Sequence, residues 1–123
     1  MNFIEYTVTV YANGNKRWYL NGKLHREDGP AIEYANGEKR WYINDKHHRE
    51  DGPAIEYVNG EKHWYVNDKL HREDGPAVER YDGTKFWFLN GEKLTEKEFN
   101  ERMSSCEGKV VEIDGKRYQL VSI

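Results

Sequence analysis

The sequence predicts a mainly all-β fold: tandem β-hairpin repeats zipped into one elongated antiparallel sheet, capped by a short C-terminal helix and a final β-hairpin. Three observations carry this. His-Arg-Glu-Asp-Gly-Pro-Ala occurs three times, starting at His25, His48 and His71, a spacing of 23 residues. A fixed period this short marks one small supersecondary unit, repeated and stacked. Asn-Gly or Asp-Gly stands between alternating runs at Asn13-Gly14, Asn36-Gly37, Asn59-Gly60 and Asp82-Gly83, the strongest short-range hairpin signal. The hydrophobic fraction is only 37%, yet aromatics reach 14%. That suits a thin sheet held by large flat side chains rather than a thick aliphatic core.

Residues 1–8 read as an N-terminal edge strand, within the strand-like run Phe3–Tyr11. Four hairpin repeats fill 9–99: Thr9–Ala31, Ile32–Ala54, Ile55–Ala77 and a degenerate Val78–Phe99. In the second, Ile32-Glu33-Tyr34-Ala35 alternates, Asn36-Gly37 turns, and Glu38–Ile43 returns. A two-residue type I′ turn sets the register. Ala35 is then expected to face Glu38, Tyr34 to face Lys39, Glu33 to face Arg40 and Ile32 to face Trp41. Ile32, Tyr34, Lys39, Trp41 and Ile43 would share one side; Glu33, Ala35, Glu38, Arg40 and Tyr42 would share the other. Glu33–Arg40 is expected as a cross-strand ion pair and Tyr34–Lys39 as a ring–ammonium contact. Trp18, Trp41, Trp64 and Trp87 recur in one slot and are expected to form a buried spine, with Ile32, Tyr34 and their equivalents filling its gaps. In the fourth repeat Arg80 would face Lys85, a like-charge pair.

A second turn follows each Trp strand, at Asn21-Gly22, Asn44-Asp45, Asn67-Asp68 and Asn90-Gly91. The Asp-Gly-Pro that ends each His-Arg-Glu-Asp loop is a strand breaker. Gly29, Gly52 and Gly75 are expected to allow a tight bend there. After Gly91 the period is lost, and residues 95–123 read as a helix–hairpin cap. Thr95 and Glu98 form a capping box flanked by Leu94 and Phe99 at the staple positions, opening a helix near Thr95–Met103. Lys109–Ile113 and Lys116–Val121 flank Asp114-Gly115 as the last hairpin. Helix and hairpin together would close an edge that otherwise invites aggregation.

The net charge is −3, with both signs interspersed, which supplies no general drive toward nucleic acid or anionic lipid. Cys106 is the only cysteine, so no internal disulfide forms, and a reducing compartment is favoured. The opening residues carry neither a basic nor an apolar targeting region, and a cytoplasmic protein is expected. No phosphate loop, nucleophile elbow or zinc spacing is present. No catalytic residue, metal or cofactor is therefore expected, and the chain reads as a non-enzyme. The His-Arg-Glu-Asp loops read as structural: His packing in the bend, Asp accepting turn hydrogen bonds, Arg pairing with an acidic neighbour. Lys-Arg-Trp-Tyr at 16–19 and 39–42 could grip single-stranded nucleic acid, but Glu33, Glu38, Glu56 and Glu61 stand beside these strands and oppose phosphate binding.

The pattern Trp-Tyr-x-Asn-Gly-Lys-x-His, carried by Trp18, Asn21, Gly22, Lys23 and His25 and followed by Gly29, Tyr34, Asn36 and Gly37, resembles the MORN (membrane occupation and recognition nexus) repeat. The match covers about four-fifths of the chain. Arg26, Arg49 and Arg72 depart from it, since glycine usually follows the histidine. The chain is also similar to small proteins of tailed bacteriophages and large DNA viruses. The resemblance implies a binding or scaffolding array of hairpins and no reaction. A phage-type inhibitor of a host defence protein, such as a CRISPR or nuclease complex, is the expected role. A single-stranded nucleic-acid binder and a small-nucleotide sponge are the alternatives; no membrane partner is expected. Tyr19, Tyr42, Tyr65 and Phe88, with Arg17, Arg40 and His63, are expected as exposed contacts opposite the tryptophans, since aromatic and arginine side chains dominate binding hot spots.

Overall fold

The computed structural model describes residues 4–104, 110–113 and 116–119. Phe3, Cys106 and the tip and outer ends of the last hairpin lie outside them. The first repeat region holds β1 (Thr7–Val10), β2 (Lys16–Leu20) and β3 (Lys23–Leu24). The second holds β4 (Ile32–Glu33), β5 (Lys39–Arg40), β6 (Tyr42–Ile43) and β7 (Lys46–His47). The third repeats this as β8 (Ile55–Glu56), β9 (Lys62–His63), β10 (Tyr65–Val66) and β11 (Lys69–Leu70). The fourth has β12 (Val78–Glu79), β13 (Lys85–Leu89) and β14 (Glu92–Leu94), then α1 (Glu96–Ser104), β15 (Val110–Ile113) and β16 (Lys116–Gln119). Ten strands form one antiparallel sheet in the order β1-β2-β4-β5-β8-β9-β12-β13-β14, with β3 beside β2. β6–β7, β10–β11 and β15–β16 are separate two-stranded pairs.

The register follows charge. Lys16, Glu33, Lys39, Glu56, Lys62, Glu79 and Lys85 stand opposite one another across successive strands. Cation and carboxylate alternate at every step, each pair contributing about 0.2–1 kcal/mol. The neighbouring row, Arg17, Ile32, Arg40, Ile55, His63, Val78 and Phe86, points to the opposite side.

This register is one residue away from the one a two-residue turn would set. Tyr34 N–H bonds the Glu38 carbonyl at 2.9 Å, and Gly37 N–H bonds the Tyr34 carbonyl at 2.9 Å. Gly37 has φ 99°, while Asn36 is outside the left-handed region. The connection is a type I turn closed by a glycine bulge. Asn36 selects it, because its Oδ1 accepts the Glu38 N–H at 3.0 Å, an Asx turn. Asn13, Asn59 and Asp82 repeat that bond. Glu33 therefore faces Lys39 rather than Arg40, Tyr34 faces Glu38, and Arg40 shares the side of Ile32. The type I′ chemistry lies in the second turn instead, where Asn44 (φ 49°) and Asp45 (φ 67°) are both left-handed. In the fourth repeat Arg80 N–H bonds the Thr84 carbonyl at 2.8 Å and Lys85 opposes Glu79. The like-charge pair does not form, and Arg80 leans toward Glu61 at 3.9 Å.

The slip also moves the core. Ala31, Ile32, Ala54, Ile55, Ala77 and Val78 are the buried apolar residues of the array. The four tryptophans are only half-buried and lie on the other side, so the expected indole spine with isoleucine in its gaps does not form. Each tryptophan instead marks where a strand changes partner. Trp41 N–H bonds the Ala54 carbonyl at 2.7 Å, after which β6 leaves the main sheet to pair with β7. Successive small hairpins are joined edge to edge, by Asp45 N–H to the Leu24 carbonyl and Asp68 N–H to the His47 carbonyl, both 2.9 Å.

The array stops where its loop is replaced. One period after His71-Arg72 stand Leu94-Thr95, and these begin the helix. Thr95 Oγ1 accepts the Glu98 N–H at 3.1 Å and Glu98 Oε1 accepts the Thr95 N–H at 3.0 Å, a complete capping box. Leu94 and Phe99 are both buried as its staple. β15 and β16 pair with each other, Val110 opposite Gln119 and Ile113 opposite Lys116.

Candidate functional site

Two surfaces are built by the repeat, one on each side of the sheet. The first is built on arginine. Arg49 lies over the Trp41 ring, its Cζ 3.8 Å from the centroid. Its Nε donates to Asp51 Oδ1 at 2.9 Å, and its Nη1 donates to the Pro53 carbonyl at 3.0 Å and to Glu56 Oε2 at 2.9 Å. Arg26 on Trp18 (4.1 Å) and Arg72 on Trp64 (3.9 Å) repeat the clamp. The glycine of each loop makes room for it. A Cβ on Gly29, Gly52 or Gly75 would lie 2.9, 2.8 or 3.0 Å from the arginine Cζ, and none of the three has a left-handed φ. The tight bend expected of these glycines is thus a close approach of guanidinium to backbone. The bond from Arg49 holds Asp51 below the usual carboxylate range, and Arg72 does the same for Asp74.

The histidines link repeats. His25 Nδ1 accepts the Asn44 N–H at 3.1 Å, His48 Nδ1 the Asn67 N–H at 3.1 Å, and His71 Nδ1 the Asn90 N–H at 2.9 Å. Each caps the left-handed turn of the next unit. A nitrogen that accepts an amide proton has no proton of its own, so the neutral ring carries it on Nε2. Nε2 faces Glu27, Glu50 or Glu73 at 3.3–3.5 Å.

Between consecutive loops this side opens into two equivalent grooves of about 770 and 780 Å3. The first is floored by Trp41 and Ile43 and rimmed by Glu27, Asp28, Glu50 and Asp51. The second is floored by Trp64 and Val66 and rimmed by Glu50, Asp51, Glu73 and Asp74.

The opposite side carries the residues singled out as contacts. Tyr19, Tyr42, Tyr65, Phe88, Arg17, Arg40 and His63 do lie there together, but half-buried rather than exposed. They interleave with Tyr11, Tyr34 and Tyr57, which sequence reasoning had not grouped with them. Arg17 lies 5.7 Å from the Tyr11 ring, Arg40 5.9 and 5.8 Å from Tyr34 and Tyr57, and His63 5.2 Å from Tyr57. His47 sits between Tyr42 and Tyr65, at 4.3 and 5.1 Å. Its Nδ1 is 3.1 Å from Asp68 Oδ1, while its buried Nε2 has no hydrogen-bond partner. Burial raises the Tyr42 and Tyr65 pKa values above the ordinary phenol value. Burial is the largest influence on Arg40 and opposes its charge, but the bond to Glu38 at 2.9 Å, the attraction of that carboxylate and the neighbouring Tyr34 and Tyr42 together raise its pKa. His63 has Glu61 at 2.8 Å. Arg17 differs: the Glu38 slot holds Asn15 in its repeat, and Asn15 Oδ1 accepts the Ala35 N–H at 2.7 Å. Among the described residues no carboxylate lies within ion-pair distance of Arg17, whose pKa is raised chiefly by a bond to Tyr19.

Among the described residues no group of three or more His, Cys, Asp or Glu is placed to hold a metal ion. No helix there is long and apolar enough to cross a membrane. No family model, curated protein or solved structure matches the chain.

Proposed function

We propose that the chain is a non-enzymatic protein-binding repeat module, an inhibitor of phage type that acts on a host defence protein in the host cytoplasm. It presents the tyrosine–arginine side of its sheet to that partner. The observation that carries this is the ring-and-cation ladder from Tyr11 to Tyr65, with no carboxylate among the described residues within ion-pair distance of Arg17. Rings of low conformational freedom beside an uncompensated guanidinium make a hot-spot composition. Such a guanidinium suits an aspartate or glutamate on the partner, taken as a bidentate pair. The resemblance to divergent MORN-type phage repeats fits the same role. Nucleic acid is disfavoured because every lysine of the main sheet row is set against a glutamate, leaving no phosphate track.

The test is affinity purification from the native host with the wild-type chain and with Arg17→Glu, followed by mass spectrometry and reconstitution of the pair. A stoichiometric protein retained by wild type and lost with Arg17→Glu is the expected result. Retention of labelled single-stranded oligonucleotide with no protein enriched would defeat the proposal.

A further inference from the structure

On the other side of the sheet, we infer that the paired grooves form a docking track for an extended basic segment of a protein, with a cationic side chain at every third position. This surface is separate from the tyrosine–arginine face and does not depend on its role. Three observations lead there.

The first is charge. Each groove has four rim carboxylates against two guanidiniums, Arg26 and Arg49 in one and Arg49 and Arg72 in the other. The rim glutamates project outward: the side chains of Glu27, Glu50 and Glu73 are 69, 82 and 76% exposed. An anionic rim over an aromatic floor selects cations and repels phosphate. The second is an internal template. The chain already seats its own arginines on this side, against an indole, an aspartate, a glutamate and a proline carbonyl. An incoming arginine would meet the outward carboxylates of Glu27, Glu50 and Glu73 beside the half-buried Trp41 and Trp64, whose one face Arg49 and Arg72 already cover. The third is spacing. One repeat adds two strands, about 10 Å, to the sheet, and a polyproline-II chain advances about 3.1 Å per residue with three residues per turn, so that every third side chain falls on one face. Neighbouring grooves are therefore about three extended residues apart. A small cation engages one groove alone, whereas a segment with cations at i and i+3 engages both at once, gaining from multivalency, and a third cation at i+6 offers a second such pair. The Glu50–Asp51 loop walls both grooves, so it should matter more than either outer loop.

The experiment titrates the full chain with two fluorescein-labelled peptides of equal composition, Arg-Ser-Thr-Arg-Ser-Thr-Arg and a version with the three arginines contiguous. Anisotropy reports binding, and tryptophan emission reports groove occupancy. The spaced peptide is expected to bind at least fivefold more tightly and to shift tryptophan emission. Glu50→Gln is expected to weaken it about tenfold, more than Glu27→Gln or Glu73→Gln alone. Arg17→Glu is expected to leave it unchanged, which separates this surface from the other one. Equal binding of the two peptides, no loss with Glu50→Gln, no binding at low salt, or spermine matching the spaced peptide would each overturn the inference.

Discussion

Replacing Gly52 with alanine tests the arginine clamp most directly. Gly52 lacks a left-handed φ, so its backbone conformation is open to alanine. The cost comes from the new methyl, which would sit 2.8 Å from Arg49 Cζ and force the guanidinium off Trp41. Losing the stack removes about 0.5–2 kcal/mol. The bond to the Pro53 carbonyl adds about 1 kcal/mol. The pair with Asp51, whose side chain is 87% exposed, adds little. Gly52→Ala should therefore destabilise by about 2 kcal/mol, and Arg49→Ala by about 2–3 kcal/mol, since the latter also removes the bond to Glu56. In the Arg49→Ala background the three nearest contacts of the methyl are gone, so Gly52→Ala should cost under about 0.5 kcal/mol. A double-mutant cycle by urea unfolding, followed by tryptophan emission and circular dichroism, measures the coupling. At m values of about 1–3 kcal/mol/M, the single-mutant shifts are about 1 M. An equal cost of Gly52→Ala in both backgrounds would show that the glycine serves the backbone and would refute the clamp.

Four further outcomes follow from the same geometry. His48→Ala opens the Asn67 N–H, in an exposed bond, to water and should cost about 0.5–1 kcal/mol, with amide exchange accelerated at Asn67. His47→Leu removes an orphaned buried nitrogen and installs the residue found at Leu24 and Leu70; a gain of about 1 kcal/mol is expected in urea midpoint. Asp51, Asp68 and Asp74 have lowered pKa values, through bonds from Arg49, His47 and Arg72 respectively. Their stabilisation is complete above the ordinary aspartate value near pH 4 and is lost as pH falls through the lower folded values. Asp51→Asn with Asp74→Asn should flatten the stability curve between about pH 4 and pH 2. Thr95→Ala opens the capping box and should cost about 0.5–2 kcal/mol, read as loss of helical signal at 222 nm.

Much of the fold is legible in the residues. The 23-residue period, the Asx-Gly turns and the Thr95–Glu98 box each report on a local geometry, and local geometry is what short sequence patterns encode. The register is not of that kind. Asn36-Gly37 suits either a type I′ turn or a type I turn with a glycine bulge, and the two differ by one residue, which inverts the faces. The charge row from Lys16 to Lys85 held the answer, since only the bulged register sets lysine against glutamate at every step. The residues expected as contacts, from Tyr19 to Phe88, stand opposite the tryptophans, because Trp-Tyr adjacency survives any register. Their half-burial was not legible, because it depends on Tyr34 and Tyr57 from neighbouring strands.

The sequence by itself determined the repeated unit, its turns, its count and its capped end, because each depends on residues close together along the chain. Only the tertiary structure decided that isoleucine and alanine rather than tryptophan are buried, that Arg26, Arg49 and Arg72 lie on indoles over a bare glycine, and that His25, His48 and His71 each cap a turn nineteen residues away. Those choices join groups from different strands and different repeats. Which of them meet is set by a one-residue register that the Asx-Gly turn leaves open and by contacts between repeats.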